Sequence, residues 1–141
     1  MTVEEVENWL NRGYRIDDEI KQLERECREA YDLACGSVTR MKVDKVQTSR
    51  QNGSEIKFIA YTEYSKRIEL KKSELLKCKD EISKVIDMVE NRQYRLLLKK
   101  RYIHFDKWEK IAEDMNLSDR WVRGGAKVRA LKAVAHYITK G

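Results

Sequence analysis

Apolar and small residues recur in a strict 3-4 alternation over residues 3–35, as Val6, Trp9, Gly13, Ile16, Ile20, Leu23, Cys27, Ala30 and Ala34. That rhythm keeps one side of an α-helix against a partner, with Val6, Gly13, Ile20, Cys27 and Ala34 in one row and Trp9, Ile16, Leu23 and Ala30 in the other. Gly13 leaves a gap in this seam that a bulky partner side chain would fill. The alternation returns from residue 56 to about 90 as Tyr61, Tyr64, Ile68, Lys71, Leu75, Cys78, Ile82, Val85 and Val89. Lys71 is the polar intruder, and its methylene stem suits a seam provided the ammonium reaches water. A lone helix of this kind buries nothing and is marginal in water. An antiparallel hairpin of the two is therefore the expected arrangement. The charges leave its register open, because pairing Asp17 and Glu24 with Lys79 and Lys72 also brings Glu19 near Glu81. A helix pair formed between two chains, giving a homodimer, is the alternative.

Between the seams, Gly36 to Ser54 is rich in Ser, Thr, Gln, Asn and Lys, and sets Arg40, Lys42, Lys45 and Arg50 against Asp44. A connection of this length is functional or disordered. A solvated basic loop over 36–55 is expected ahead of a DNA-contacting one. Asn91 is the expected break between a hairpin of residues 1–90 and a second domain of residues 91–141.

Beyond Asn91, Tyr94, Leu97, Leu98 and Tyr102 make the apolar stripe of a short helix, with Arg95, Lys99 and Arg101 off that stripe. His104-Phe105-Asp106 turns the chain. Asp106 stands three residues before Glu109, a capping-box spacing, and Ile111, Ala112 and Met115 follow at helical spacing. Asn116 tolerates the left-handed conformation needed for a reversal. Ser118 is a good N-cap for the next helix, with Asp119 in its first turn near the positive end of the dipole. That helix carries Arg120, Arg123, Lys127 and Arg129, and its tail places Val128, Leu131, Ala135 and Ile138 on one stripe.

This stretch resembles the helix-turn-helix of DNA-binding proteins: a small residue at the helix crossing (Ala112), a turn residue four on (Asn116), then Leu117 and Val122. With the flanks Tyr94–Ile103 and Val128–Leu131, residues 92–137 resemble the last domain of bacterial sigma factors. Joined to a helical first half, the chain is similar to the small phage-encoded transcriptional regulators of the ArpU/RinA type. Gly124-Gly125 departs from the pattern, since each Gly costs roughly 1 kcal/mol relative to Ala inside a helix. A bend or a shortened recognition helix is expected there. The resemblance implies a sequence-specific regulator of late, and in particular packaging, genes. It implies base reading by Asp119, Arg120, Arg123 and Lys127, because the start of the second helix enters the major groove. Lys99, Arg101, Lys107, Lys110 and Arg129 are the expected phosphate contacts, which position the module without reading sequence. Double-stranded DNA is the expected partner, with RNA polymerase a further one.

Composition adds weight without naming a target. The chain has no Pro, six Gly and 38% charged residues, which points to an all-α protein. Residues 91–141 hold 13 Lys/Arg against 5 Asp/Glu, while the first ninety hold 17 against 19. A basic module beside a near-neutral one is the electrostatic footprint of phosphate binding.

Catalysis is not expected. There is no Gly-rich phosphate loop, no His-carboxylate pair beside a nucleophile and no isolated carboxylate pair. Cys27, Cys35 and Cys78 lack a CxxC spacing and read as reduced core residues. His104 and His136 have no ligand neighbours, so no metal or cofactor is expected. No apolar stretch nears the ~20 residues that span a bilayer and no signal peptide opens the chain, which together suggest a cytoplasmic protein, and the resemblance implies that the cell is a bacterial host. Two rival readings stand beside the regulator. One is a small terminase subunit recognising phage DNA. The other is an adaptor that binds the transcription machinery and never touches DNA.

Overall fold

The computed structural model describes residues 2–40 and 47–140, with side chains at 2–33, 55–56 and 58–138. The fold is all-α, with no strand among the described residues. Helix α1 spans Val3–Leu10, α2 Arg12–Arg40, α3 Gln47–Asp87, α4 Arg92–Tyr102, α5 Trp108–Asp114 and α6 Asp119–Trp121. A π-helical turn, Val122–Ala126, then leads into α7, Lys127–Lys140. The chain divides into two compact units, Asp17–Glu74 and the pair of segments Met1–Ile16 and Leu75–Gly141.

In the unit Asp17–Glu74, α2 and α3 pack along the seams set by their alternation. Ile20, Cys27 and Ile68 are buried there. Successive contacts run in opposite senses along the two helices: Glu19 meets Lys71 at 2.9 Å, the Cys27 thiol donates to the Tyr61 carbonyl at 3.9 Å, and the Tyr31 ring meets Phe58 edge-on at 6.2 Å. Lys71 behaves as a seam lysine should. Its ammonium leaves the apolar row for Glu19 and Glu74, and the hydrogen bond to Glu19 raises its pKa above the ordinary lysine value. Asp17 binds Lys21 one turn along its own helix.

Of the expected loop over 36–55, the described residues 36–40 and 47–55 are helical. α2 continues to Arg40 and α3 begins at Gln47, because the stretch lacks Pro, and a Gly inside a helix costs only about 1 kcal/mol. Lys42, Asp44 and Lys45 lie outside the described residues.

The other unit is built on a continuous apolar core. Val6 and Leu10 of α1 meet Ile82 and Ile86 of α3, Val89 just beyond its end, Leu97, Leu98 and Tyr102 of α4, Ile111 and Ala112 of α5, and Val122, Ala126, Ala130, Leu131 and Val134. The first seam does not start as one helix. Thr2 caps α1 through its Oγ1, which accepts from the Glu5 N–H at 3.1 Å, and the helix is interrupted at Asn11. That break puts Val6 and Leu10, one turn apart, on the core face beside α7. Gly13 is buried beside Phe105, and a Cβ there would lie 3.6 Å from that ring, an ordinary contact distance. Arg12 also pairs with Glu81 in this unit, at 3.2 Å.

Asn91 does break the helix. Its Oδ1 accepts from the Gln93 and Tyr94 N–H groups at 2.9 and 3.1 Å, capping α4. The core nevertheless crosses it, with α1 and the end of α3 packed in the same unit as residues 91–141.

Candidate nucleic-acid interface

Local chemistry explains the turn between α5 and α6. Asn116 sits at φ 55°, in the left-handed region. Around it the Leu117 N–H donates to the Ala112 carbonyl at 2.8 Å, and the Asn116 N–H to the Glu113 carbonyl at 3.2 Å. Those two bonds are a Schellman motif, which satisfies the carbonyls at the end of α5. Ser118 then starts the second helix, its Oγ accepting from the Trp121 N–H at 3.1 Å. Val122 and Ala126 point inward and are fully buried, so the opposite side of that helix faces solvent.

The start of α5 departs from expectation. Lys107, not Asp106, occupies the N-cap position and supplies no side-chain cap. The reason lies one residue earlier, where Phe105 adopts φ 61°, an uncommon conformation for a bulky residue. The Phe105 ring packs against Gly13 and meets Tyr14 edge-on at 5.7 Å, while Lys79 lies 4.8 Å from its centroid. This anchored turn aims the Asp106 N–H at the Lys100 carbonyl and leaves the Asp106 carboxylate for Lys110, at 3.8 Å.

The two glycines sit inside the π-helical turn. A Cβ at Gly124 would meet no other atom within 4 Å, whereas at Gly125 a Cβ would collide with the Trp121 ring. The indole therefore lies across the helix over Gly125, 37% exposed, and the Arg129 guanidinium sits 5.2 Å from its centroid. The expected irregularity at Gly124-Gly125 is thus a local widening of the helix with a tryptophan laid over it. Positions 121, 125 and 129 share a face by their spacing of four.

A second cluster gathers on Glu7. The Tyr102 hydroxyl donates to Glu7 Oε2 at 3.0 Å, and Lys127 Nζ lies 3.0 Å from the same oxygen. Burial, with the Glu7 charge adding to it, raises the Tyr102 phenol well above the ordinary tyrosine value. Trp108 is flanked by the Arg101 guanidinium at 4.9 Å and the Lys127 ammonium at 5.6 Å. Lys127 is therefore held inward by α1.

The chain belongs to the DUF1492 family. The family model, described as a protein of unknown function, matches residues 33–127. No curated protein and no solved structure matches the chain. The DUF1492 span takes in α4, α5, the turn and the start of the second helix, and ends at the first residue of α7.

Within this frame the nine expected contact residues separate into groups. Arg120 is exposed and has no ion pair among the described residues, and the same holds for Lys107. Arg129 is exposed and stacked on Trp121. Arg123 is exposed but engaged, its guanidinium paired with Glu109 of α5 and, at 3.2 Å, with Asp119. Asp119 is accordingly occupied with Arg123 at the start of its helix. Lys110 is exposed and pairs weakly with Asp106. Lys99 binds Asp87 at 2.6 Å, and Arg101 donates to the Asp106 carbonyl at 3.0 Å. These last two, with Lys127, are half-buried and tie elements together. A base-reading role for Lys127 does not fit this geometry, since Glu7 and Trp108 already hold its ammonium. Lys132, three residues past Arg129 and exposed with no ion pair among the described residues, was not among the expected contacts. Its i,i+3 spacing from Arg129 is the signal that marks it.

Proposed function

We propose that this chain is a sequence-specific DNA-binding transcriptional regulator of the phage ArpU/RinA type, acting through residues 107–132 on duplex DNA. One observation carries the reading: a Ser118-capped helix follows a left-handed Asn116 turn and presents Arg120 and Arg129 to solvent without a carboxylate partner. Arginine reads guanine through two parallel hydrogen bonds, a match worth about 1–3 kcal/mol against the wrong base. Lys107, Arg129 and Lys132 supply the phosphate contacts in this scheme, while Trp121 offers an apolar surface beside them. Arg123 joins them on release from Glu109 and Asp119; an exposed pair of this kind is worth only about 0–1 kcal/mol, so a phosphate or guanine competes for it readily. The role is non-enzymatic and needs no cofactor, and the setting is the cytoplasm of a bacterial host.

The pairing of Arg123 and the burial of Lys127 favour, as the second reading, an adaptor that binds the transcription machinery without DNA. Binding to duplex DNA at increasing salt separates the two. The regulator loses affinity steeply as salt rises, because phosphate contacts release counterions. The adaptor shows no binding to a duplex at low salt.

A further inference from the structure

In the unit Asp17–Glu74, one side of α3 faces α2 through Tyr61, Tyr64 and Ile68. On the opposite side, at the same 3-4 spacing, stand Ile56, Ile59, Glu63, Lys66, Leu70 and Ser73. All six are exposed, and the three apolar ones strongly so: Ile56 67%, Ile59 62% and Leu70 72%. Glu63 and Lys66 have no ion pair among the described residues.

The order of these six residues is self-complementary. Laid antiparallel on a second copy of itself about a two-fold axis between Glu63 and Lys66, the stripe matches Ile59 with Leu70 of the other copy. Ile56 then falls opposite Ser73, and Glu63 opposite Lys66. Each match occurs twice, as a two-fold interface requires. A slide of one heptad in either direction sets Leu70 or Ile59 against a charge. A parallel pairing sets Glu63 on Glu63 and Lys66 on Lys66. Like charges facing each other across a helix pair select against such alignments. We infer that α3 forms an antiparallel homodimer through this outer stripe, with the Glu63–Lys66 pairs fixing its register and Ile59 and Leu70 providing its apolar contact. The occupant of the face is thus a second copy of this chain. Such a dimer carries two copies of the proposed DNA-reading helix, although nothing in its derivation depends on DNA.

Sedimentation equilibrium of the full chain without DNA tests the inference, with circular dichroism confirming that each variant is helical. The wild-type chain is expected to dimerise. Glu63→Lys and Lys66→Glu, each creating two like-charge contacts, are expected to weaken dimerisation by about tenfold or more. The double variant Glu63→Lys/Lys66→Glu reverses both pairs and is expected to restore it. Leu70→Lys, on an exposed face and harmless to the monomer, is expected to leave only monomer. A monomeric wild type, single variants that dimerise normally, a double variant that fails to recover, or a larger ring would each overturn the proposal. Because the readout is mass in the absence of DNA, failure here leaves the DNA-binding reading standing, and loss of DNA binding with an intact dimer leaves this one.

Discussion

The Trp121 indole occupies the space that a side chain at position 125 would need. Gly125 is therefore the residue that lets the tryptophan lie flat on its own helix, beneath the Arg129 guanidinium. A methyl group there displaces the ring. The indole is partly exposed and can swing away, so Gly125→Ala changes stability by no more than about 1 kcal/mol while breaking the Trp121–Arg129 stack. Tryptophan fluorescence of the variant is expected to shift towards a more solvated emission. Gly124→Ala, into open space, is expected to leave the emission unchanged and to raise stability by up to about 1 kcal/mol.

Gly13 gives the opposite result from a similar position. Although buried, it would place a Cβ at 3.6–3.8 Å from Phe105 and Ile82, ordinary contact distances. Gly13→Ala is thus expected to stabilise the chain by about 1 kcal/mol, through helix propensity and a little added packing. Urea denaturation measures it. A loss of stability would mean that Phe105 has no room to give.

Tyr102 predicts an alkaline weakness. Its buried phenol, beside Glu7, holds its proton to a higher pH than the ordinary 10.0 of an unfolded tyrosine. Above about pH 10 the unfolded state therefore binds fewer protons than the folded one, and stability falls as pH rises. Tyr102→Phe removes that dependence. At neutral pH the variant loses the hydrogen bond to Glu7 and is expected to be about 1 kcal/mol less stable. The deficit should shrink or reverse as pH passes 10. Lys71, whose raised pKa acts in the same direction, is present in both proteins and cancels. Chemical denaturation at a series of pH values reads the difference.

Features set by neighbours in the sequence were legible in advance. Ser118, Asn116 and Asn91 act through backbone groups two to four residues away, and all three stand where their chemistry suggested. The seam residues Ile20, Cys27, Ile68, Cys78, Ile82 and Val89 are buried for the same reason. Three-dimensional neighbours decided the rest. Nothing near Lys127 in sequence announces Glu7, which arrives from the far end of the chain on α1. Asp106 lost its capping role because Phe105 was drawn into a left-handed turn by packing on Gly13, a contact between distant segments. Leu10 and Ile86 fall off the 3-4 rows yet are fully buried, since each meets a further helix that a two-helix reading does not contain.

The proposed function turns on whether the exposed face beginning at Arg120 reads duplex DNA. The most direct measurement is the affinity of the full chain for short duplexes from its own gene neighbourhood, as a function of salt, for wild type, Arg120→Ala and Lys107→Ala. With about three to four phosphate contacts, from Lys107, Arg129 and Lys132 and from Arg123 on release, log affinity should fall linearly with log salt at a slope of roughly −3 to −4. Arg120→Ala should erode the preference for the best duplex over a scrambled one, whereas Lys107→Ala should weaken both alike and flatten the slope by about one. A flat salt response, or no duplex binding at low salt, would contradict the account.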